Sequence, residues 1–216
     1  AALETQDLVA LGTDQIRAME TRDFAALTTA QVVALGSEQV VALSTAQIVA
    51  LTTAQVSALE AADFALLSTA QLAALETRDI VELTTAQVVA LTTAQVAGLT
   101  QTQVAALQIV DLQALTTAQV VALSTSQVQA LTATNVKGLT TAQIGSLTTG
   151  QVASLQNADL AALTTSQLAG LTTDGVAALT TSQVKALTNS QLTSLSSSQL
   201  QAMETADLAR DRTSVV

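Results

Sequence analysis

Large aliphatic residues recur along this chain in pairs, and the pairs repeat every eight residues without a slip. With the first Leu of the phrase "LTTAQVVA" as position one, that position falls at Leu3, Leu11, Met19, Leu27 and onward to Leu195 and Met203; all 26 such positions are Leu or Met. Position six is Val, Ile, Leu or Phe throughout, and position eight is Ala, Gly or Ser except at Leu66, Glu82 and Arg210. These three positions form the inward set. Position three is mostly Thr or Ser, position five mostly Gln or Asp, and positions four and seven vary freely, which places that pair outward.

The period excludes one long helix. At about 100° per residue an octad advances roughly 800°, so the Leu row would wind around every face instead of forming a stripe. An unbroken β-strand fails too, because positions one and six have opposite parity and would point to opposite faces. The abundance of Ala, Gln and Leu favours helix. What remains is a short helix in each octad, broken and restarted. In "LTTAQVVAL" the Thr at position two and the Gln at position five have the S/T-x-x-Q spacing of a capping box, in which each side chain satisfies a backbone N–H at the helix start. Position six and the next Leu are three apart and share a face. The pattern therefore predicts helix from position three to position eight, followed by a tight corner.

Seven octads depart from the phrase in a concerted way. Glu or Gln stands at position two at Glu4, Glu20, Glu60, Glu76, Gln108, Gln156 and Glu204, and position five is then Asp7, Asp23, Asp63, Asp79, Asp111, Asp159 and Asp207. No other octad has Asp at position five, and these seven carry Leu, Phe or Ile, never Val, at position six. The exchange of a short–long pair for a long–short pair implies contact between positions two and five, and reads as an alternative helix cap at special corners. A catalytic carboxylate pair would need a pocket and a partner that shifts one pKa, and a cation site would gather about six or more oxygens.

Ordering eight residues costs more entropy than two buried aliphatics return, so no octad folds alone, and stability must come from stacking. The predicted fold class is all-α: a solenoid of very short capped helices, one per octad, continuous over residues 1–216 with 26 octads in 3–210 and a tail at 211–216. Four acidic octads, starting at Glu60, Gln108, Gln156 and Glu204, are spaced by 48 residues. Three octads per superhelical turn is the preferred reading; two or six also fit. Neither end of the repeat shows a polar capping module beyond Arg210, Asp211 and Arg212, so open ends are expected to stack head to tail.

Composition removes several function classes. The chain has no Cys, His, Pro, Trp or Tyr, and Phe24 and Phe64 are its aromatics, which leaves no thiolate or imidazole chemistry. A formal charge of −10 with seven basic residues provides no stripe to neutralise phosphates, so nucleic acid and anionic membranes are not expected as partners. Thr and Gln interrupt the apolar pattern in nearly every octad, so no membrane insertion is expected despite 49% hydrophobic residues. The N-terminus shows no charged region followed by an apolar stretch, so no secretion signal is read there. Ser residues without His, and glycines that form no phosphate loop, argue against an enzyme. No catalytic, cofactor-binding or metal-ligating residue, no cofactor and no small-molecule substrate is predicted.

The phrase L-T-T-x-Q-V-x-A resembles octapeptide tracts of very large surface or secreted proteins of Gram-negative bacteria, some of them labelled for haem utilisation or adhesion. The resemblance covers residues 3–210 and transfers no site. The conceivable haem ligands here are Met19 and Met203 alone. What the resemblance and the pattern imply together is a structural rod or filament segment at the cell surface or outside the cell, in a fibre, stalk or surface layer. It would associate with itself end to end, and also laterally if the valines at position seven, such as Val33, Val41 and Val49, form an outer apolar strip. The alternative is a binding scaffold or adhesin segment presenting one face, although positions four and seven are poor in the aromatic and Arg anchors that dominate binding energies. Thr rows also suggest an ice-binding face, for which short helices do not obviously supply a flat array.

Overall fold

A computed structural model of the chain describes residues 4–203. Among the described residues every regular element is a short α-helix, and each begins at position three of its octad. Most end at position eight, as in Thr85–Ala90, Thr117–Ala122 and Thr141–Ser146. The N-cap at position two is extended, with Thr84 at φ −80° and ψ 148°, and the Leu after the helix is extended again, with Leu91 at φ −61° and ψ 139°. Two extended residues thus form each corner. The corner closes on a bond from the Leu N–H to the carbonyl of position six, such as Leu91 to Val88 at 3.3 Å.

The chain divides into two compact units, Ala1–Leu107 and Gln108–Val216. In the first, each helix from Thr5–Ala10 to Thr77–Val81 packs on the third helix after it; in the second, the same holds from Ile109–Ala114 to Thr165–Ala169. Three octads therefore make one turn within each unit, and the solenoid packing predicted from the register is present in both. Position six fills the centre: Leu8, Ile16, Phe24, Val40, Phe64, Ile80, Val120 and Leu160 have no exposed surface, while the Leu of position one lies just outside them, nearly as well covered.

Position eight is small because two helices meet there. A Cβ on Gly138 would lie 2.8 Å from Ile109 Cγ2 of the helix one turn earlier, and one on Gly170 would lie 2.5 Å from Thr141 Cγ2. Position eight of one turn thus rests against position three of the turn before. The two bulky exceptions within the described residues avoid this seam. Helices Ala61–Phe64 and Thr77–Val81 end early, and Leu66 and Glu82 are turned out to solvent; Leu66 is 49% exposed. The third exception, Arg210, lies outside the described residues, as do Leu3, the Glu204–Asp207 pair, Asp211 and Arg212.

Candidate functional site

The most elaborate polar chemistry of the fold sits at position five. In the helix Thr85–Ala90, Gln87 Oε1 accepts the backbone N–H of Thr84 at 2.9 Å, while Thr84 Oγ1 accepts the backbone N–H of Gln87 at 3.2 Å. This is the capping box the spacing predicts. The other end of the same amide does something the local pattern does not reveal. Gln87 Nε2 donates to the carbonyls of Val56 at 2.8 Å and Leu59 at 2.9 Å, at the end of the fourth helix back, where the chain turns into the helix that Thr85–Ala90 packs on.

That joint recurs with one geometry. Gln47 and Gln103 reach the carbonyls 31 and 28 residues before them in the first unit. Gln143, Gln151, Gln183 and Gln191 do the same in the second. These side chains are buried, so each bond satisfies groups that would otherwise be costly to remove from water. One residue therefore caps its own helix with its oxygen and ties it to the preceding turn with its nitrogen. Gly12 and Gly36 at position two have no hydroxyl, yet Gln15 and Gln39 still accept their N–H groups at 2.8 and 2.9 Å.

Preference for Gln over Glu or Asp at position five was the sequence signal for this joint. A cap needs an acceptor, which a carboxylate supplies equally well; an amide in 18 of the 26 octads means that a donor is needed too in most of them. Gly175 is the exception without any side chain there, and its helix keeps the Thr172 cap at 3.0 Å.

The acidic octads are only partly the alternative caps expected from covariation. Glu4, Glu20 and Glu60 make no side-chain cap hydrogen bond. What persists is the other half of the box: Asp79 accepts the Glu76 N–H at 3.1 Å, and Asp159 accepts the Gln156 N–H at 3.3 Å. The long residue at position two turns elsewhere. Glu76 pairs with Arg78 Nε at 2.7 Å and Glu20 with Arg22 Nε at 2.9 Å. Gln156 Nε2 instead reaches the Gln129 carbonyl one turn back at 2.9 Å. In that octad the inter-turn donor has moved from position five to position two. Burial pushes the carboxyls of Asp79 and Asp159 above their ordinary range, opposed in both by the backbone N–H each accepts and, at Asp79, by Arg78.

The octad of Asp79 borders an open groove of about 460 Å³ lined by Glu76, Thr77, Arg78, Thr100 and Thr102 among others. Its one cation is engaged by Glu76, so the groove presents hydroxyls and a neutralised pair. In the second unit a groove of about 510 Å³ is lined by Ile109, Gln113, Ala133, Thr134, Lys137, Gly138 and Ala162. Among the described residues no group of three or more His, Cys, Asp or Glu is placed to hold a metal ion, and no helix is long and apolar enough to cross a membrane. Met19 is half-buried at the end of helix Thr13–Ala18 in the first unit, where its carbonyl accepts from Gln47; Met203 is half-buried in the second unit.

The valines of position seven do not form the single strip considered from sequence. Val33, Val41 and Val49 are 40–50% exposed, but they sit on three successive helices, each of which packs on a different third neighbour. They therefore belong to three separate columns. One column of the first unit does gather exposed valines one or more turns apart, at Val9, Val33 and Val81, with Ser57 between them.

A helical repeat protein whose octads are mostly tied by one polar joint each is the class these features define. Models of the ALTTAQ repeat match residues 1–37, 16–53, 72–109, 104–141 and 152–189, and the chain belongs to the ALTTAQ repeat family. No curated protein and no solved structure is similar enough to match the chain.

Proposed function

We propose that this chain is a structural segment that builds a rod or filament by end-to-end stacking, in an extracellular fibre, stalk or bacterial surface layer. The observation that supports the reading best is the sameness of the seam. One side of a turn offers Gln Nε2 donors and small position-eight residues, and the other offers helix-end carbonyls and position-three side chains. The two sides are complementary at nearly every step, so two copies meeting by the same sides would make a heterologous contact that propagates. The outer positions are short residues of modest chemistry, as suits a spacer. The surface location rests on the resemblance of the octapeptide phrase to tracts of large surface proteins.

The test is electron microscopy of the purified chain over a concentration series. Unbranched filaments with a regular axial repeat, growing with concentration, are the expected result; monodisperse particles at every concentration would overturn it. A binding scaffold is the second reading, favoured by the groove lined by Ile109, which is 40% exposed. Monodisperse particles would turn attention to that groove, with Ile109→Ser as the variant to compare.

A further inference from the structure

The acidic octads interrupt the seam at fixed places, and what stands there has the opposite hydrogen-bonding sense. Where Gln87 donates to carbonyls 31 and 28 residues earlier, the same register sets Asp79 opposite Ile48 and Leu51, and Asp159 opposite Val128 and Leu131. An ionised carboxylate only accepts, and so do those carbonyls. Asp79 is fully buried; one oxygen takes the Glu76 N–H, as Gln Oε1 would, and the other, Oδ1, makes no hydrogen bond. Asn135 shows that a side chain this short can fill the capping place, with Oδ1 accepting the Thr132 N–H at 3.0 Å.

We propose that Asp79 and Asp159 are acid-closed links of the solenoid: on protonation the carboxyl O–H donates to a carbonyl of the preceding turn and restores the joint that Gln makes elsewhere. The proton comes from solvent and no other bond changes. Asp79 is the stronger link. Its position-two partner, Glu76, has no donor to give, whereas Gln156 already supplies one inter-turn bond beside Asp159. The charged groups around Asp79 are Glu76, Arg78 and Glu82 of its own octad; the helices packed against it, Thr53–Ala58 and Gln101–Ala106, carry none, nor does Thr45–Ala50. Asp159 has no charged neighbour on its own helix, while the helices packed against it carry the exposed Lys137 and Lys185.

The sign follows from burial. Both carboxyls are raised above the ordinary 3.8, so the folded chain holds protons that the unfolded chain has released. The resulting stabilisation is complete below 3.8 and is lost as pH rises through the raised value. Arg78 Nε, 3.8 Å from Asp79 Oδ1, opposes the shift without cancelling it.

The experiment uses the full chain at matched ionic strength between pH 7.5 and 4. The wild type should melt higher at the acid end. Asp79→Asn with Asp159→Asn should melt higher than wild type at pH 7.5 and lose most of the acid rise, because the amide donates at every pH. Asp14→Asn with Asp174→Asn removes the same charge from exposed positions and should leave the rise intact. Carbon NMR titration of the Asp79 carboxyl should give a midpoint above 3.8. A wild-type melt that is flat or falls on acidification, an equal rise in the Asp79/Asp159 variant, or an Asp79 midpoint at or below 3.8 would overturn the proposal. Melting is compared at one chain concentration, because end-to-end association would itself raise it, whereas the Asp79 midpoint reads the carboxyl directly and separates this proposal from filament formation.

Discussion

Residues 75–82 and 83–90 are successive octads in one unit, and they solve the same corner in different ways. The second, "LTTAQVVA", runs its helix to position eight, closes a full capping box and ties Gln87 to the turn before. The first, "LETRDIVE", ends its helix at Val81, keeps half the box through Asp79 and spends Glu76 on Arg78 at the surface. Its position six is Ile80 where the second has Val88, both fully buried. The difference separates two sources of stability, a polar seam in one octad and a larger apolar plug in the other. It also shows that a turn of three octads holds when one of its joints is missing.

The comparison breaks hardest at the plug. Phe64, the largest position-six residue of an acidic octad in a helix of four residues, has no exposed surface. Phe64→Ala should cost about 3–5 kcal/mol in urea unfolding, since a helix of four residues and one exposed bond from Ser37 to Asp63 do little to offset the cavity. Next is the seam itself. Gln87→Leu keeps the volume but leaves the Thr84 N–H without its acceptor and the Leu59 carbonyl without its donor, while the Val56 carbonyl keeps only the Leu59 N–H, and should cost about 2–4 kcal/mol; a loss below about 1 kcal/mol would mean that apolar stacking alone holds the turns.

Thr84→Ala isolates the local half of the joint. It should lower stability by about 1 kcal/mol, the usual worth of an N-cap side chain, while exchange of the Val56 and Leu59 amides stays slow because Gln87 still holds that corner through its two carbonyls. Arg78→Ala should be the mildest change. Its pair with Glu76 is more than half exposed on the Arg side, so a loss of about 0–1 kcal/mol is expected in the same unfolding assay. A larger loss would show that Arg78 positions the acidic corner instead of merely covering it.

How much of this was legible depends on the range of the interaction involved. Helix bounds, the extended corner and the Thr–Gln cap are contacts within one octad, and their spacing is printed in the chain. The buried order of positions one, six and eight follows from the same register. The acidic octads were visible as a concerted change, but the covariation pointed to a cap made by both partners, and the structure gives Glu76 to Arg78 and Gln156 to a different turn. Two residues can covary within an octad although the long one bonds to a third residue, in its own octad at Glu76 and in an earlier one at Gln156.

Sequence alone determined the eight-residue register, the helical class and the place where each helix starts, because steric preference and capping act over three or four residues. It left two, three or six octads per turn open. Only tertiary structure decided that every third helix meets, that the Gln amide spans that contact, and that position eight must be small where Gly138 faces Ile109. The physical reason is that a periodic pattern repeats identically whatever the turn closes on. Which carbonyl a buried amide finds is set by the pitch of the stack, a property no single octad contains.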